Sequence, residues 1–168
     1  MATKPTRLGL ISDTHGLLRE EALRALQGSE LILHAGDVGK REILEKLKAI
    51  APVIAVRGNV DVDDWCKESP NTTTVEAGDI SIYMLHNLRE LDLKPEAAGI
   101  SLVISGHTHK PVRSERKGVV YINPGSAGPR RFDLPITLGR LDLSGGAWNY
   151  ELIDLEGQPL PGSSKKEI

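Results

Sequence analysis

Two histidines one residue apart close the segment Ser105-Gly106-His107-Thr108-His109, directly after the run Ser101-Leu102-Val103-Ile104. Imidazole is the commonest metal ligand among side chains, and packing gives little reason to place a pair of them after a glycine at a strand end. In an extended segment alternate side chains point the same way, and in a tight loop both rings can converge on one point. A surface loop that happens to hold two histidines is the plain alternative, so the rest of the chain has to decide.

Similar polar groups recur after other apolar runs. Asp13 and His15 follow the run 7–11, Asp37 follows 30–34, Asn59 follows 52–56 and His86 follows 80–85. Singly, each has an ordinary explanation. Asp13 could cap a helix that starts near Leu18, though it lies far from it. Gly36-Asp37 and Gly58-Asn59 could be simple turns. Together, five loops deliver seven oxygen or nitrogen donors: Asp13, His15, Asp37, Asn59, His86, His107 and His109. Seven exceed the four that a structural zinc takes, and with one carboxylate shared they suit two ions. Two divalent ions roughly 3.5–4 Å apart clamp a reacting group and lower the pKa of bound water. With two carboxylates and a hydroxide, such a centre keeps a charge of about +1, which attracts a phosphodiester anion.

The elements that must position these groups read clearly at first. Helical spacing appears over 18–27, with Leu18, Ala22, Leu23, Ala25 and Leu26 and a stop at Gly28, and again over 40–50, with Ile43, Leu44, Leu47 and Ile50. Strand, helix, strand, helix, strand implies parallel pairing, and ligands gather where such strands end. Then the texture changes. Ala77-Gly78-Asp79, Lys117-Gly118 and Ser144-Gly145-Gly146 are hairpin signals, and Pro95 suits the start of a short helix. A parallel half followed by an antiparallel half predicts an α/β fold, a four-layer α-β-β-α sandwich of two mixed sheets. It forms one domain over 1–156, and the Pro-, Gly-, Ser- and Lys-rich segment 157–168 is expected to be a flexible tail.

Composition excludes several partner classes. Of 168 residues, 39% are hydrophobic and 26% charged, which fits a globular chain. A net charge of -2 without a long basic block speaks against a stable nucleic-acid complex, and an aromatic content of 4% against an extended base-stacking platform. The one cysteine, Cys66, allows no intrachain disulfide and no thiolate cluster. No apolar run approaches the roughly 18 residues of a membrane span, and Met1-Ala2-Thr3-Lys4-Pro5 carries no signal-peptide core, so no membrane partner and a cytoplasmic location are expected.

The blocks Asp13-Thr14-His15, Gly36-Asp37, Gly58-Asn59-Val60-Asp61, His86 and Gly106-His107-Thr108-His109 resemble those of the calcineurin-like metallophosphoesterase superfamily. The closing Asn123-Pro124-Gly125-Ser126 is similar to its small single-domain prokaryotic phosphodiesterases of the YfcE type. The resemblance runs from Arg7 to about Ile153 and implies the metallo-dependent phosphatase-like sandwich. It implies that Asp13, His15, Asp37 and His109 hold one metal and that Asp37, Asn59, His86 and His107 hold a second, with Asp37 bridging. It also implies a dinuclear phosphodiesterase in which a metal-bridging hydroxide attacks phosphorus in line, with Asp37, Asn59 and His107 as the catalytic set. The two histidines of the opening loop would then serve different ions. Nitrogen and oxygen donors admit manganese, nickel, cobalt, iron or zinc, with manganese the expected ion. The expected substrate is a small phosphodiester, nucleotide-like esters included, and a homo-oligomer is left open.

Some positions depart from the family pattern. Many relatives carry a histidine after the asparagine ligand to protonate the leaving group, and here that residue is Val60. A lost general acid is typically worth about 10²–10⁴-fold in rate, so good leaving groups are expected to be favoured. A retromer subunit of the superfamily also has an apolar residue there, which keeps a non-catalytic, metal-binding interaction scaffold as the alternative. Asn87 stands where glycine is usual, and asparagine tolerates left-handed backbone. His34 reads as a packed or ligand-supporting histidine. Asp61 could orient ligands, whereas Asp63 and Asp64 read as solvated. Arg130 and Arg131 could reach a phosphate or stand exposed. The loops 65–73, 87–93 and 128–135 are expected to flank the metal edge.

Overall fold

The computed structural model describes residues 3–157 and 166–167. The first half forms β1 (Arg7–Ile11), α1 (Glu20–Ala25), β2 (Leu31–His34), α2 (Arg41–Lys48) and β3 (Val53–Ala55). There follow β4 (Thr72–Ala77), β5 (Ile80–Leu85), β6 (Leu102–Ile104), β7 (Val112–Arg116), β8 (Val119–Asn123), β9 (Thr137–Asp142), β10 (Asn149–Asp154) and β11 (Lys166–Glu167). One sheet has the order β11-β10-β9-β1-β2-β3 and the other β4-β5-β6-β8-β7. The rest of the expected loose tail lies outside the described residues.

Both sheets are mixed, as expected, but the halves of the chain do not map onto them one to one. β1, β2 and β3 pair in parallel, and β9 joins that sheet antiparallel to β1, carrying β10 with it. In the other sheet β5, β6 and β8 are parallel, so the second half is not simply antiparallel. The hairpin signals are correct locally, but the segments 86–101 and 105–118 carry the chain back to the start of the next parallel strand. Each sheet thus has a parallel trio, β1-β2-β3 at one side of the first sheet and β5-β6-β8 in the middle of the second, whose strands end at one edge.

Burial on both faces explains the continuous apolar runs of the central strands. Leu8, Leu10, Leu31 and Leu33 face the interior between the sheets, where they meet Ile82, Met84, Leu102, Ile104, Val120 and Ile122. Ile11 and Ile32 face the other way, onto Ala22 and Leu26 of the first helical segment and Ile43 and Leu47 of α2. On the far face of the second sheet, Tyr83, Val103 and Tyr121 are covered by Leu88, Leu91 and Leu93. That fourth layer is thin. It consists of a 3-10 turn at Leu88–Glu90 and turns over 95–99, where one helical turn starts near Pro95 and does not propagate.

Candidate metal centre

All seven predicted donors come to the edge where the parallel strands of both sheets end. Ligand atoms of Asp13, His15 and His109 lie within 4.8 Å of one another, and so do those of Asp37, His86 and His107. Asp37 touches both groups: its Oδ2 is 3.6 Å from His15 Nε2 and 3.2 Å from His86 Nε2. Asp13 Oδ1 is 3.4 Å from His109 Nε2, 3.8 Å from His15 Nε2 and 3.9 Å from His86 Nε2. Asn59 Oδ1 completes the second group, 3.0 Å from His86 Nε2 and 3.2 Å from His107 Nδ1.

The backbone is bent to make this possible. Asp13, His15, Asp37, His107 and His109 all have φ between 46° and 73°, the left-handed region that side chains with a Cβ rarely adopt. Such strain persists only where surrounding contacts hold it, and it clusters at functional sites. The contacts are between loops. Asp13, His15 and Gly16 donate their N–H groups to the carbonyls of Gly36, Asp37 and Val38 at 3.0, 2.9 and 2.8 Å. Asp61 is 4% exposed and accepts three backbone N–H groups, from Gly58, Val38 and Gly39, at 2.9, 3.1 and 3.0 Å. It ties the Asp37 loop to the Asn59 loop. Asn123 donates through Nδ2 to Gly106 O and to Thr108 Oγ1, holding the double-histidine loop, and Ser126 Oγ donates to Asp13 O.

Two glycines in these loops are spacers. A Cβ on Gly58 would stand 2.1 Å from Asp37 Oδ1, and one on Gly106 would stand 2.0 Å from Ser12 Oγ and 2.6 Å from Asp13 Oδ2. The residue before a donor must have no side chain because another loop's donor occupies that space.

Electrostatics concentrate negative charge here. Burial pushes the Asp13 carboxyl up, but His109, His15 and the Ser12 hydroxyl outweigh it and hold the group well below the usual carboxylate range. Asp37 is likewise lowered against its burial, by His86 and the Val60 N–H. His86 is raised despite burial, because Asp37 and Asp13 favour its charged form. His34, buried among Thr14 and Gly36, is pushed down to about 4 by burial, so it stays neutral. Its Nδ1 accepts the Gly36 N–H, so its Nε2 carries the proton and donates to Thr14 Oγ1 at 3.0 Å. It supports the loops and faces away from the donor cluster.

Several features fit a cation between these groups. His86 Nδ1 lies 2.7 Å from Ala35 O, so it carries the ring proton and leaves the Nε2 lone pair aimed at Asn59 Oδ1 and Asp37 Oδ2. Acceptors facing acceptors at that range need a proton or a metal ion between them. Asp13 Oδ1 is buried and without a hydrogen-bond partner among the described residues, with three imidazole nitrogens around it. His15 Nε2 and His109 Nε2 are 3.2 Å apart. A ligating imidazole typically donates its other N–H to a carbonyl, and His86 has that arrangement.

The remaining expectations divide. Val60 is 43% exposed and contributes its backbone N–H to Asp37 Oδ1 at 3.0 Å. Asn87 keeps its turn by accepting the Arg89 N–H, with φ −110°, so left-handed tolerance plays no part. Arg130 turns away to pair with Glu156, while Arg131 lines a cleft of about 700 Å³ beside His107. The loops 87–93 and 128–135 border that cleft, but 65–73 does not: Trp65 packs toward α2, on the core beneath the first sheet. Asp61, which the sequence allowed to orient ligands, ties two donor loops together, whereas Asn123, Ser12 and Ser126 were not assigned from sequence. The only signal for them was their place inside or beside the donor blocks.

The sequence matches the calcineurin-like phosphoesterase superfamily domain over residues 6–146. It is 35% identical over 151 residues to a probable metallophosphoesterase of Methanothermobacter thermautotrophicus, covering 80% of this chain and 86% of that one. It is 31% identical over 160 residues to phosphodiesterase YfcE of Escherichia coli, covering 81% and 87%. The solved structure of YfcE superposes with a TM-score of 0.71 at 23% identity over 96% and 98% of the two chains. Vacuolar Protein Sorting 29 of Cryptosporidium parvum superposes with a TM-score of 0.78 at 21% identity over 98% and 96%. At these identities the two superpositions speak to the fold alone.

Proposed function

The chain belongs to the calcineurin-like phosphoesterase superfamily, and on that premise we propose that it is a metal-dependent phosphodiesterase with a two-ion centre. The observation that carries this reading is the position of Asp37 Oδ2, within 3.6 Å of one imidazole from each donor group. Asp13, His15, Asp37 and His109 would hold one ion, and Asp37, Asn59, His86 and His107 the other. Manganese is the expected ion among those that nitrogen and oxygen donors accept. When bound, such ions polarise phosphoryl oxygens and lower the pKa of water to supply the nucleophile.

The chain's own residues set the geometry. The Val60 N–H fixes Asp37 Oδ1, which leaves Oδ2 to face both donor groups. Asn59 turns its amide oxygen toward His86 and His107 and so presents an acceptor, not an N–H, to a cation. Asp13 and Asp37 stay ionised and hold the negative charge that two divalent ions require. The Val60 side chain transfers no proton, so the leaving group departs best as a stable anion. A small aryl diester therefore suits the site better than an alkyl one.

The test is turnover of bis(p-nitrophenyl) phosphate by protein stripped with chelator and reloaded with Mn²⁺. Hydrolysis that is lost on chelation and in Asp37→Ala supports the reading. Val60 also favours a second reading, a metal-binding interaction scaffold on the same fold. Tight metal binding without hydrolysis of any ester would select it.

A further inference from the structure

The cleft beside His107 carries a pattern that the metal centre does not explain. His107 belongs to a donor group and also lines the cleft, so the two are continuous. The cleft walls include Leu88, Val112 and Tyr121, and its rim carries Phe132, which is 86% exposed. Arg89 and Arg131 also line it, and no carboxylate does among the described residues. In a chain of net charge -2, that is a local excess of positive charge beside an apolar wall.

Phe132 is held in place at a cost. Its φ is 53°, in a turn closed by the Leu134 N–H on Arg131 O at 3.2 Å, with Arg130 Nη1 donating to Leu134 O at 3.1 Å. Glycine, asparagine or aspartate normally fills a left-handed turn position, and a bulky aromatic there is an outlier. Here the turn pushes a bare aromatic face to the cleft rim rather than into the core. Strain of this kind at a cleft is a pointer to ligand contact.

We propose that this cleft holds one ester arm of the substrate, and that the arm is a nucleotide: a planar base against Phe132 and a further phosphate near Arg131 and Arg89. This rests on the phosphodiesterase reading above and adds the chemistry of the arm. A single aromatic face is enough for one base, although the chain lacks the series of aromatics that would bind a strand. Arginine suits a second phosphate by its planar, bidentate donor geometry. The cleft volume of about 700 Å³ is large for a nitrophenyl ring and adequate for a nucleotide.

The experiment compares three esters on Mn²⁺-loaded protein: bis(p-nitrophenyl) phosphate, the thymidine p-nitrophenyl phosphodiester, and that ester with a further phosphate on its sugar. In the thymidine esters, hydrolysis breaks the bond from phosphorus to p-nitrophenolate and forms one to the oxygen of water, whose proton passes to solvent. The proposal expects kcat/KM to rise along the series. Phe132→Ala should reduce the preference for the thymidine ester over the bis ester about tenfold, mainly through KM. Arg131→Gln should remove the added preference for the further phosphate, and Arg131→Lys should retain part of it. A flat series overturns the proposal, as do variants that lower all three rates by the same factor. If the wild type cleaves the bis ester without preference, only this inference fails; if it cleaves none, the phosphodiesterase reading fails with it.

Discussion

Asp61 offers the sharpest structural prediction, because it joins the loops that carry Asp37 and Asn59. One of its oxygens accepts the Gly58 and Val38 N–H groups and the other accepts the Gly39 N–H, in a residue that is 4% exposed. Replacing it with asparagine keeps an oxygen for the first pair and turns an NH₂ toward Gly39. A donor then faces a donor, and the lost charge-assisted bond costs about 2 kcal/mol. Replacing it with alanine leaves three N–H groups without acceptors, at about 4 kcal/mol. For a chain of this size, about 3 °C of melting temperature corresponds to each kcal/mol. The metal-free Asp61→Asn protein should therefore melt about 6 °C below wild type, and Asp61→Ala about 12 °C below it. Because the two loops also carry Asp37 and Asn59, donors in the proposed second ion site, Mn²⁺ affinity should fall about 10–100-fold in Asp61→Asn. Thermal denaturation with chelator and a Mn²⁺ titration measure the two effects. An Asp61→Asn protein that melts within a degree of wild type and binds Mn²⁺ equally well would refute the reasoning.

The metal-free protein should lose stability as pH falls through the range set by His34. Burial lowers its folded pKa to about 4, so the unfolded chain takes up a proton that the folded one refuses. Stability contributed by the neutral ring is present above the ordinary histidine pKa and is lost as pH falls, by about 2 kcal/mol between about pH 6.5 and 4.5. Urea unfolding at both pH values should show this component in wild type and its absence in His34→Gln; equal slopes would remove His34 from the account. Val60→His, at a 43% exposed site, should raise kcat on an alkyl diester by up to about 10²-fold; no rise would show that a missing acid does not limit the reaction. Gly106→Ala should cost about 1–3 kcal/mol and weaken metal binding, because its Cβ would stand 2.0 Å from Ser12 Oγ. Adding Ser12→Ala should restore part of the stability, and a double variant no better than the single one would place the strain elsewhere.

The donors were legible because they are chemically conspicuous and sit directly after apolar runs. An imidazole pair after Gly106, or a carboxylate after Gly36, is visible in one dimension. The groups that hold them were not, because their roles depend on contacts between distant segments. Asn123 meets Gly106 and Thr108 across the sheet, and Ser126 meets the carbonyl of Asp13, more than a hundred residues away. The left-handed backbone at five donors was hidden for the same reason: Asp and His tolerate it better than most residues, but that preference is weak, and the packed loops sustain it. The fold was readable from periodicity in its first half, where strand and helix alternate. Later, hairpin signals described neighbours correctly but said nothing about β9 returning to β1 or about β5, β6 and β8 running parallel. The Pro95 segment failed to become a helix. Its one turn, with Ile100 packed on the sheet, already covers the short fourth layer.

The central claim is that Asp37 joins two donor groups into one centre. Elemental analysis of protein stripped with chelator and titrated with Mn²⁺, run beside turnover of bis(p-nitrophenyl) phosphate, tests it most directly. Two ions per chain are expected, with hydrolysis that appears as both load and loss of both properties in Asp37→Ala. Full activity with one ion per chain, or two tightly held ions in Asp37→Ala, would contradict it.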